Sequence, residues 1–286
     1  MSPTAQPTGR RGPSWVELGL ILLLALTAAA PLWGVGIVNT RGGGDSPFLL
    51  QRTMDMAENL RHGAVPVRWM SRAAYDLGYP FFNHYAALPY YLSGAMTALG
   101  ISPLIAIQAT QTLGMVLAAL AMALWSYRIH RAHLGILVSV VAYTFAPFHL
   151  VNLYVRGDSL SEFYAFVAYP LILWTLDRLA DRHSLGRVLG AALAYAALIL
   201  THNVSLLIFS PFALLYILLR TRPKPFTLKA GLRWGVRAAA PFLLGMLLTV
   251  WFWVPALIEV KYGQMDDAFT AGYFHYSRHF RGLNLV

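Results

Sequence analysis

The sequence contains no cysteine, so disulfide bonds and thiolate metal sites are excluded. Charged residues are scarce as well: Asp, Glu, Lys and Arg make up only 12% of the 286 residues, whereas soluble domains carry about a quarter. Apolar residues make up 57% of the chain. A chain this apolar and this poor in charge is typical of a protein that crosses the membrane several times.

The few charges are mostly basic, and the net charge is +10. They fall in short loops between apolar runs. Nucleic-acid binding would instead require a basic stripe, interleaved with aromatic residues, on a soluble domain, and the sequence has none. We therefore expect the lipid bilayer as the surroundings and no nucleic acid as a partner.

Seven apolar stretches approach the length of about 20 residues that a membrane-crossing helix needs. They are 15–38, 103–126, 134–153, 162–178, 186–201, 203–219 and 238–258. The predicted fold is therefore an all-α polytopic membrane protein with about seven transmembrane helices over 15–258. A tail at 1–14 precedes this module, and a C-terminal segment at 259–286 follows it. The sequence is compatible with a minimal form of the protein and with a fragment that is truncated after this segment. Residues 15–38 also fit a cleaved signal peptide, although the run has span length.

The apolar stretch 88–99 has only 12 residues and is predicted to lie in the membrane interface rather than to span. All the strongly basic loops then fall on the N-terminal side of the bundle. Because Lys and Arg concentrate in cytoplasmic loops, we predict a cytoplasmic N-terminus in the plasma (inner) membrane. The segments 39–102, 154–161, 201–203 and 259–286 are then extracytoplasmic.

The first extracytoplasmic loop, 39–102, is predicted to hold amphipathic helices that lie along the membrane. One of them begins near Ser46, which is a good helix cap, and ends at His62-Gly63. In this pattern Asp55 belongs to the polar side that faces water. Just before this helix, Asp45 follows three consecutive glycines. No Gly-Lys-Ser/Thr follows them, so a nucleotide-binding phosphate loop is rejected.

Ionisable groups gather at the predicted outer face, where they tend to mark functional sites. Besides Asp45, the segment between spans three and four brings Arg156, Asp158 and Glu162 within seven residues, and His202 lies in the turn between spans five and six. Each group also has a local structural explanation. Asp45 would cap a helix, Arg156 would pair with one of the two acids, and His202 would be an ordinary turn residue.

The order of these features resembles the GT-C superfamily of integral-membrane glycosyltransferases, which take sugars from polyprenyl phosphate. The resemblance rests on a first span, a carboxylate just beyond it, amphipathic surface helices, and an aromatic stretch that leads into Leu88-Pro89-Tyr90-Tyr91-Leu92. Three further motifs resemble membrane proteins labelled 6-pyruvoyl-tetrahydropterin synthase-related. These motifs are Gly78-Tyr79-Pro80-Phe81-Phe82, Tyr154-Val155-Arg156-Gly157 with Glu162-Phe163, and Thr201-His202-Asn203.

The GT-C resemblance implies an inverting transfer of a sugar from a polyprenyl-phosphate donor to a hydroxyl of a glycan, lipid or protein acceptor. It implies Asp45 as the catalytic base, and Asp158 with Glu162 as groups that orient the acceptor or hold a divalent cation, Mg²⁺ or Mn²⁺. Arg156, together with Arg68 or Arg41, would stabilise the leaving phosphate. Trp69, Tyr79 and Tyr85 would offer flat faces to the sugar or the prenyl chain, and His202 is a further candidate for substrate binding. The alternative is a non-catalytic polytopic protein, such as a scaffold, a transporter or a subunit of an envelope-assembly complex.

Overall fold

The computed structural model describes residues 13–37, 46–130, 132–156, 159–262 and His275. Within these ranges all regular structure is helical, except for one isolated antiparallel bridge between Met70 and Tyr79. The all-α prediction is therefore confirmed. The candidates Arg41, Asp45 and Asp158 lie outside the described residues.

Thirteen helices are numbered here in chain order through the described ranges. They are α1 Trp15–Ala29, α2 Ser46–Arg61, α3 Ala73–Asp76, α4 Phe81–His84, α5 Leu88–Ala98, α6 Pro103–Ile129, α7 His133–Thr144, α8 Pro147–Leu150, α9 Leu160–Asp181, α10 Leu185–Ile199, α11 Asn203–Thr221, α12 Leu228–Leu248 and α13 Val250–Glu259. Short 3₁₀ turns extend α1 and α13, and a π-helical segment, Val151–Arg156, extends α8.

Three helical segments are long and apolar enough to cross a membrane: Trp15–Trp33, Pro103–Ile129 and Asn203–Thr221. Two bent pairs raise this number to five if each is one span. These pairs are His133–Thr144 with Pro147–Arg156, bent by 42°, and Leu228–Leu248 with Val250–Tyr262, bent by 70°. The predicted segments 162–178 and 186–201 are helical as α9 and α10. The structure thus supports an all-α membrane protein, while the number seven stays a prediction.

The helix ends sort into two faces of the bundle. We call the end that carries the start of α1 the N-terminal face; there Glu17 contacts His133, and Arg128 pairs with Asp181. We call the end that carries α2 to α5 the loop face. There Asn203, at the start of α11, donates a hydrogen bond to the main-chain carbonyl of His84 at 2.8 Å. The sequence prediction assigns the loop face to the outside of the cell.

The amphipathic helix predicted after Asp45 is present as α2, and its apolar side packs on α5. The hydroxyls of Thr53 and Ser93 lie 3.0 Å apart between the two helices. Gly94 of α5 makes this approach possible, because a Cβ atom there would lie 2.3 Å from the Cγ atom of Met56. The apolar side of α2 therefore faces protein.

The prediction that Asp55 faces water is wrong, because its side chain is fully buried. The chain that follows α2 folds back over that side of the helix. Asn59 donates a hydrogen bond to the carbonyl of Trp69 at 3.1 Å, and the main-chain amide of Arg72 donates to Asp55 Oδ1 at 3.2 Å. Helical periodicity identifies the polar side of α2 correctly, but this second layer of chain covers it.

Candidate functional site

An ion pair at the loop face joins two of the predicted site residues. Nη1 of Arg156 lies 2.6 Å from Oε2 of Glu162, and the same nitrogen donates to Oδ1 of Asn152 at 3.0 Å. The two side chains are 48% and 21% exposed. Arg156 is therefore held by its own helical segment and by the first turn of α9. The sequence left open whether Arg156 pairs with Asp158 or with Glu162, and the structure shows the pair with Glu162.

His202 caps the start of α11 and lies in the field of this pair. Its Nδ1 accepts a hydrogen bond from the main-chain amide of Ser205 at 3.3 Å and lies 2.8 Å from the Ser205 hydroxyl. Burial lowers the pKa of His202, while the nearby Glu162 carboxylate raises it and Arg156 lowers it. Because Nδ1 accepts, we assign the proton of the neutral ring to Nε2.

An aromatic row connects His202 with the surface loop, by which we mean residues 62–87 between α2 and α5. The rings of Tyr85 and His202 meet edge to face at 6.2 Å, and Tyr85 stacks on Phe81 at 4.7 Å. The guanidinium of Arg52 lies 4.4 Å from the centre of the Phe81 ring, which is the geometry of a cation–π contact. Tyr79 extends the row, edge to face with Phe81 at 5.9 Å. The structure therefore places the rings of three candidates, Tyr79, Tyr85 and His202, in one row with Phe81.

Arg52 is the residue that the sequence analysis missed. Its Nη1 lies 3.2 Å from the hydroxyl of Tyr90, and four rings surround its guanidinium: those of Phe48, Phe81, Tyr85 and Tyr90. In the sequence it is one of several charges on the polar side of α2. The aromatic residues that surround it come mostly from 81–90, and no local pattern joins them to α2.

Arg68 lies in a polar network separate from the ion pair of Arg156 and Glu162. Its Nη1 donates to Oδ1 of Asn83 at 2.6 Å, and its Nη2 donates to the main-chain carbonyl of Trp251 at 2.7 Å. Asn83 is buried and donates in turn to Glu259 Oε2 at 2.7 Å. The bend between α12 and α13 thus brings the start and the end of α13 against the surface loop.

An apolar cavity of about 370 Å³ lies beside Arg68. Its lining comes from the surface loop, α5, the end of α10 and α13: Val65, Pro66, Val67, Phe82, Ala87, Leu88, Tyr91, Leu200, Trp251 and Phe252. Trp251 lines the cavity and also accepts the hydrogen bond from Arg68. A fixed guanidinium therefore lies next to an apolar space.

Trp69 is 48% exposed and stays apart from the aromatic row. Its indole packs against Gly78, where a Cβ atom would lie 2.3 Å from the indole Nε1. Gly78 also has a φ of +73°, a conformation that favours glycine. Both observations explain why the motif Gly78-Tyr79-Pro80-Phe81-Phe82 begins with a glycine.

The predicted metal candidates do not form a complete site among the described residues. In that part of the chain no three His, Asp or Glu side chains cluster in a way that could hold a metal ion. Glu162 is engaged by Arg156, and Asp158 lies outside the described residues. A site for Mg²⁺ or Mn²⁺ stays a prediction.

A family model described as 6-pyruvoyl-tetrahydropterin synthase related domain, membrane protein, matches residues 82–281. The chain belongs to this family. The match includes the ion pair, His202 and the cavity wall formed by α5 and α13, and it begins after Arg68, Trp69 and Tyr79. This description places the family in the membrane and names no activity for it.

A relative from Lactococcus lactis subsp. cremoris (strain MG1363), described as an uncharacterized protein, is 24% identical over 203 residues. The aligned region covers 70% of this chain and 32% of the relative. The chain therefore spans about a third of the length of the relative it matches.

Proposed function

We propose that this protein is a membrane glycosyltransferase of the GT-C type, which moves a sugar from a polyprenyl-phosphate carrier to an acceptor hydroxyl at the extracytoplasmic face. The observation that supports this most is the position of Arg68 beside the apolar cavity. A prenyl chain needs an apolar groove, and the phosphate at its end needs a cation. Trp251 lines the apolar cavity and accepts a hydrogen bond from Arg68, so the groove and the cation lie next to each other.

Arg68 is the best phosphate ligand among the described candidates. Two of its N–H groups are used by Asn83 and by the carbonyl of Trp251, and a guanidinium has five. Neither of these two partners is charged, and the carboxylate of this network, Glu259, is hydrogen-bonded to Asn83 rather than to Arg68. Arg156, in contrast, is balanced by Glu162. We therefore assign the phosphate to Arg68 and the acceptor to the side of Arg156, Glu162 and His202.

Asp45 is the proposed catalytic base, an assignment that rests on the sequence alone. It would take the proton of the acceptor hydroxyl as the hydroxyl oxygen bonds to the anomeric carbon of the sugar. The bond from that carbon to the phosphate oxygen breaks at the same time, and the polyprenyl phosphate leaves with the electron pair. The configuration at the anomeric carbon is inverted. If a divalent cation takes part, Asp158 and Glu162 would hold it near the acceptor, and Glu162 would then have to release Arg156.

The test is sugar transfer by the purified protein with radiolabelled polyprenyl-phosphate sugars. Asp45→Asn should lower transfer by several orders of magnitude, because the amide has nearly the same shape but cannot accept the proton. Asp76→Asn is the matched control, since Asp76 is an exposed carboxylate of the same loop. Its φ of +64° is one that Asn also adopts readily.

Full transfer by the Asp45→Asn protein would exclude Asp45 as the base. A capping role predicts this outcome, because Asn caps a helix as well as Asp does, whereas Ala costs about 1 kcal/mol. Asp45→Ala, folded but inactive, would agree with the catalytic role.

The second candidate is a non-catalytic scaffold or a subunit of an envelope complex. The ion pair between Arg156 and Glu162 and the capping role of His202 favour it, because these groups satisfy one another locally. This candidate predicts no transfer by the wild-type protein with any polyprenyl-phosphate donor. It also predicts the same partner binding in the wild type and in Asp45→Asn.

A further inference from the structure

A second cavity, of about 290 Å³, lies at the N-terminal face, at the opposite end of the bundle from the proposed transfer site. The end of α9, the end of α11 and the first half of α12 form its walls. The lining residues are Leu179, Ala180, His183, Ile217, Thr221, Pro223, Ala230, Arg233, Trp234, Arg237 and Ala238. Two of them are arginines, one is a histidine, and none is acidic.

The arginines of this cavity have no counter-ion in the part of the chain that the structure describes. Arg233 and Arg237 lie one helical turn apart on α12, both are exposed, and neither makes an ion pair with a described residue. The acids of the neighbouring α9 are already engaged. Asp177 accepts from Arg220 at 2.9 Å, and Asp181 pairs with Arg128. The cavity therefore keeps an uncompensated positive charge.

The apolar wall of the cavity is held in place by its own contacts. The indole of Trp234 donates a hydrogen bond to the Thr221 hydroxyl at 3.1 Å, which ties α12 to the end of α11. Phe226 meets Trp234 edge to face at 6.2 Å. Phe226 also packs on Gly231, where a Cβ atom would lie 2.7 Å from the Phe226 Cζ atom. Binding would therefore require little rearrangement of this wall.

The position of these groups along α12 matches the depth of lipid headgroups. The predicted apolar span begins at residue 238, directly after Arg237. Tryptophan is enriched where a helix enters the membrane, and Trp234 lies between the two arginines in the sequence. With the predicted span at 238–258, the two arginines are expected at the level of the lipid phosphates, with apolar helix surface just below them.

We propose that this cavity binds the phosphate headgroup of an anionic membrane phospholipid. Basic pockets between transmembrane helices are suited to such headgroups. Arg233 and Arg237 donate paired hydrogen bonds to the phosphate oxygens, and His183 adds a donor from the loop after α9. Trp234 contacts the glycerol and the first part of the acyl chains. The lipid thereby links α9, α11 and α12 at the N-terminal face.

The test measures lipid binding by native mass spectrometry, and thermal unfolding, of the whole protein in detergent. Phosphatidylglycerol should remain bound and raise the unfolding temperature, whereas phosphatidylcholine should do neither. Each cation near an anionic lipid contributes on the order of fivefold in affinity. The double variant R233Q/R237Q should therefore bind phosphatidylglycerol about 25-fold more weakly. The matched control is K224Q/K229Q, because it removes the same charge from exposed residues of the same face that do not line the cavity.

Equal weakening in the control would mean diffuse attraction to a basic surface and would overturn the proposal. So would unchanged binding by R233Q/R237Q, or equally tight binding of water-soluble glycerol phosphate, which would indicate a site for a free anion. If R233Q/R237Q fails to fold, a photoreactive phosphatidylglycerol on the wild-type protein decides the matter. Crosslinks should map to His183, Thr221 or Trp234; crosslinks confined to other helices would exclude the cavity.

Discussion

The main-chain amide of Arg72 donates a hydrogen bond of 3.2 Å to Oδ1 of the fully buried Asp55. The other carboxylate oxygen, Oδ2, has no hydrogen-bond partner among the described residues. Asp55 therefore fastens the loop after α2 onto that helix through one oxygen. This arrangement buries a carboxylate that has a hydrogen bond at only one of its two oxygens, which costs free energy.

The first prediction concerns the neutral replacements of Asp55. Asp55→Asn should be as stable as the wild type at pH 7 or more stable, because the amide oxygen still accepts from Arg72 and the buried charge is gone. Asp55→Ala should lose about 1–3 kcal/mol, since the amide of Arg72 is left without a partner. Unfolding in detergent with a denaturant measures both. A large loss in Asp55→Asn would show that the charge itself stabilises the loop.

The second prediction follows from the pKa of the same carboxyl. Burial is the largest cause and raises the pKa of Asp55 above its ordinary value of 3.8, although the Arg72 amide opposes the shift. The folded state therefore binds this proton more tightly than the unfolded state. The resulting stabilisation is complete below pH 3.8 and is lost as the pH rises through the folded pKa. The stability of the wild type relative to Asp55→Asn should fall with rising pH in that window, and a difference independent of pH would contradict the shift.

The third prediction tests whether His202 lies in the field of the ion pair at the loop face. Glu162 raises the pKa of His202 and Arg156 lowers it. Glu162→Gln should therefore lower the imidazole pKa further, and Arg156→Gln should raise it. An NMR titration of histidine-labelled protein measures both shifts. Shifts of the same sign in the two variants, or none in either, would contradict the arrangement.

The fourth prediction concerns the contact between α2 and α5. Gly94→Ala should destabilise the protein by about 1–3 kcal/mol, because the added carbon would lie 2.3 Å from Met56 Cγ and 2.8 Å from Met56 Cβ. Gly190→Ala is the matched control, since no atom lies within 4 Å of a Cβ there. It should be neutral or gain up to about 1 kcal/mol from helix propensity. Similar losses in the two variants would mean that α2 can shift away from α5.

The fifth prediction concerns the orientation in the membrane. The absence of cysteine makes single-cysteine variants easy to interpret. A membrane-impermeant thiol reagent should label Ser71→Cys on intact cells and spare Ser184→Cys. These residues belong to the surface loop and to the start of α10, which lie at the two ends of the bundle. Labelling in the reverse order would place the N-terminus outside.

The sequence by itself determined the class of the protein and most of its helices. The apolar composition and the long apolar runs require helices in a membrane, because only helices satisfy every main-chain group within one segment. The helical spacing between Ser46 and His62 predicted α2 with its correct end, and the turn at His202 was predicted between α10 and α11. The proposal that Asp45 is a catalytic base also comes from the sequence, through the order of the features around it, and it stays a prediction because Asp45 lies outside the described residues.

Only the tertiary structure decided which polar groups are buried and which share a site. The helical spacing of α2 predicts that Asp55 faces water, but the chain from Trp69 to Arg72 covers it. The contact of Arg68 with the carbonyl of Trp251 joins residues that are 183 positions apart. Helical periodicity describes one element at a time and carries no information on which distant segment packs against it. Both cavities arise from such long-range packing, and that is why the sequence alone predicted neither of them.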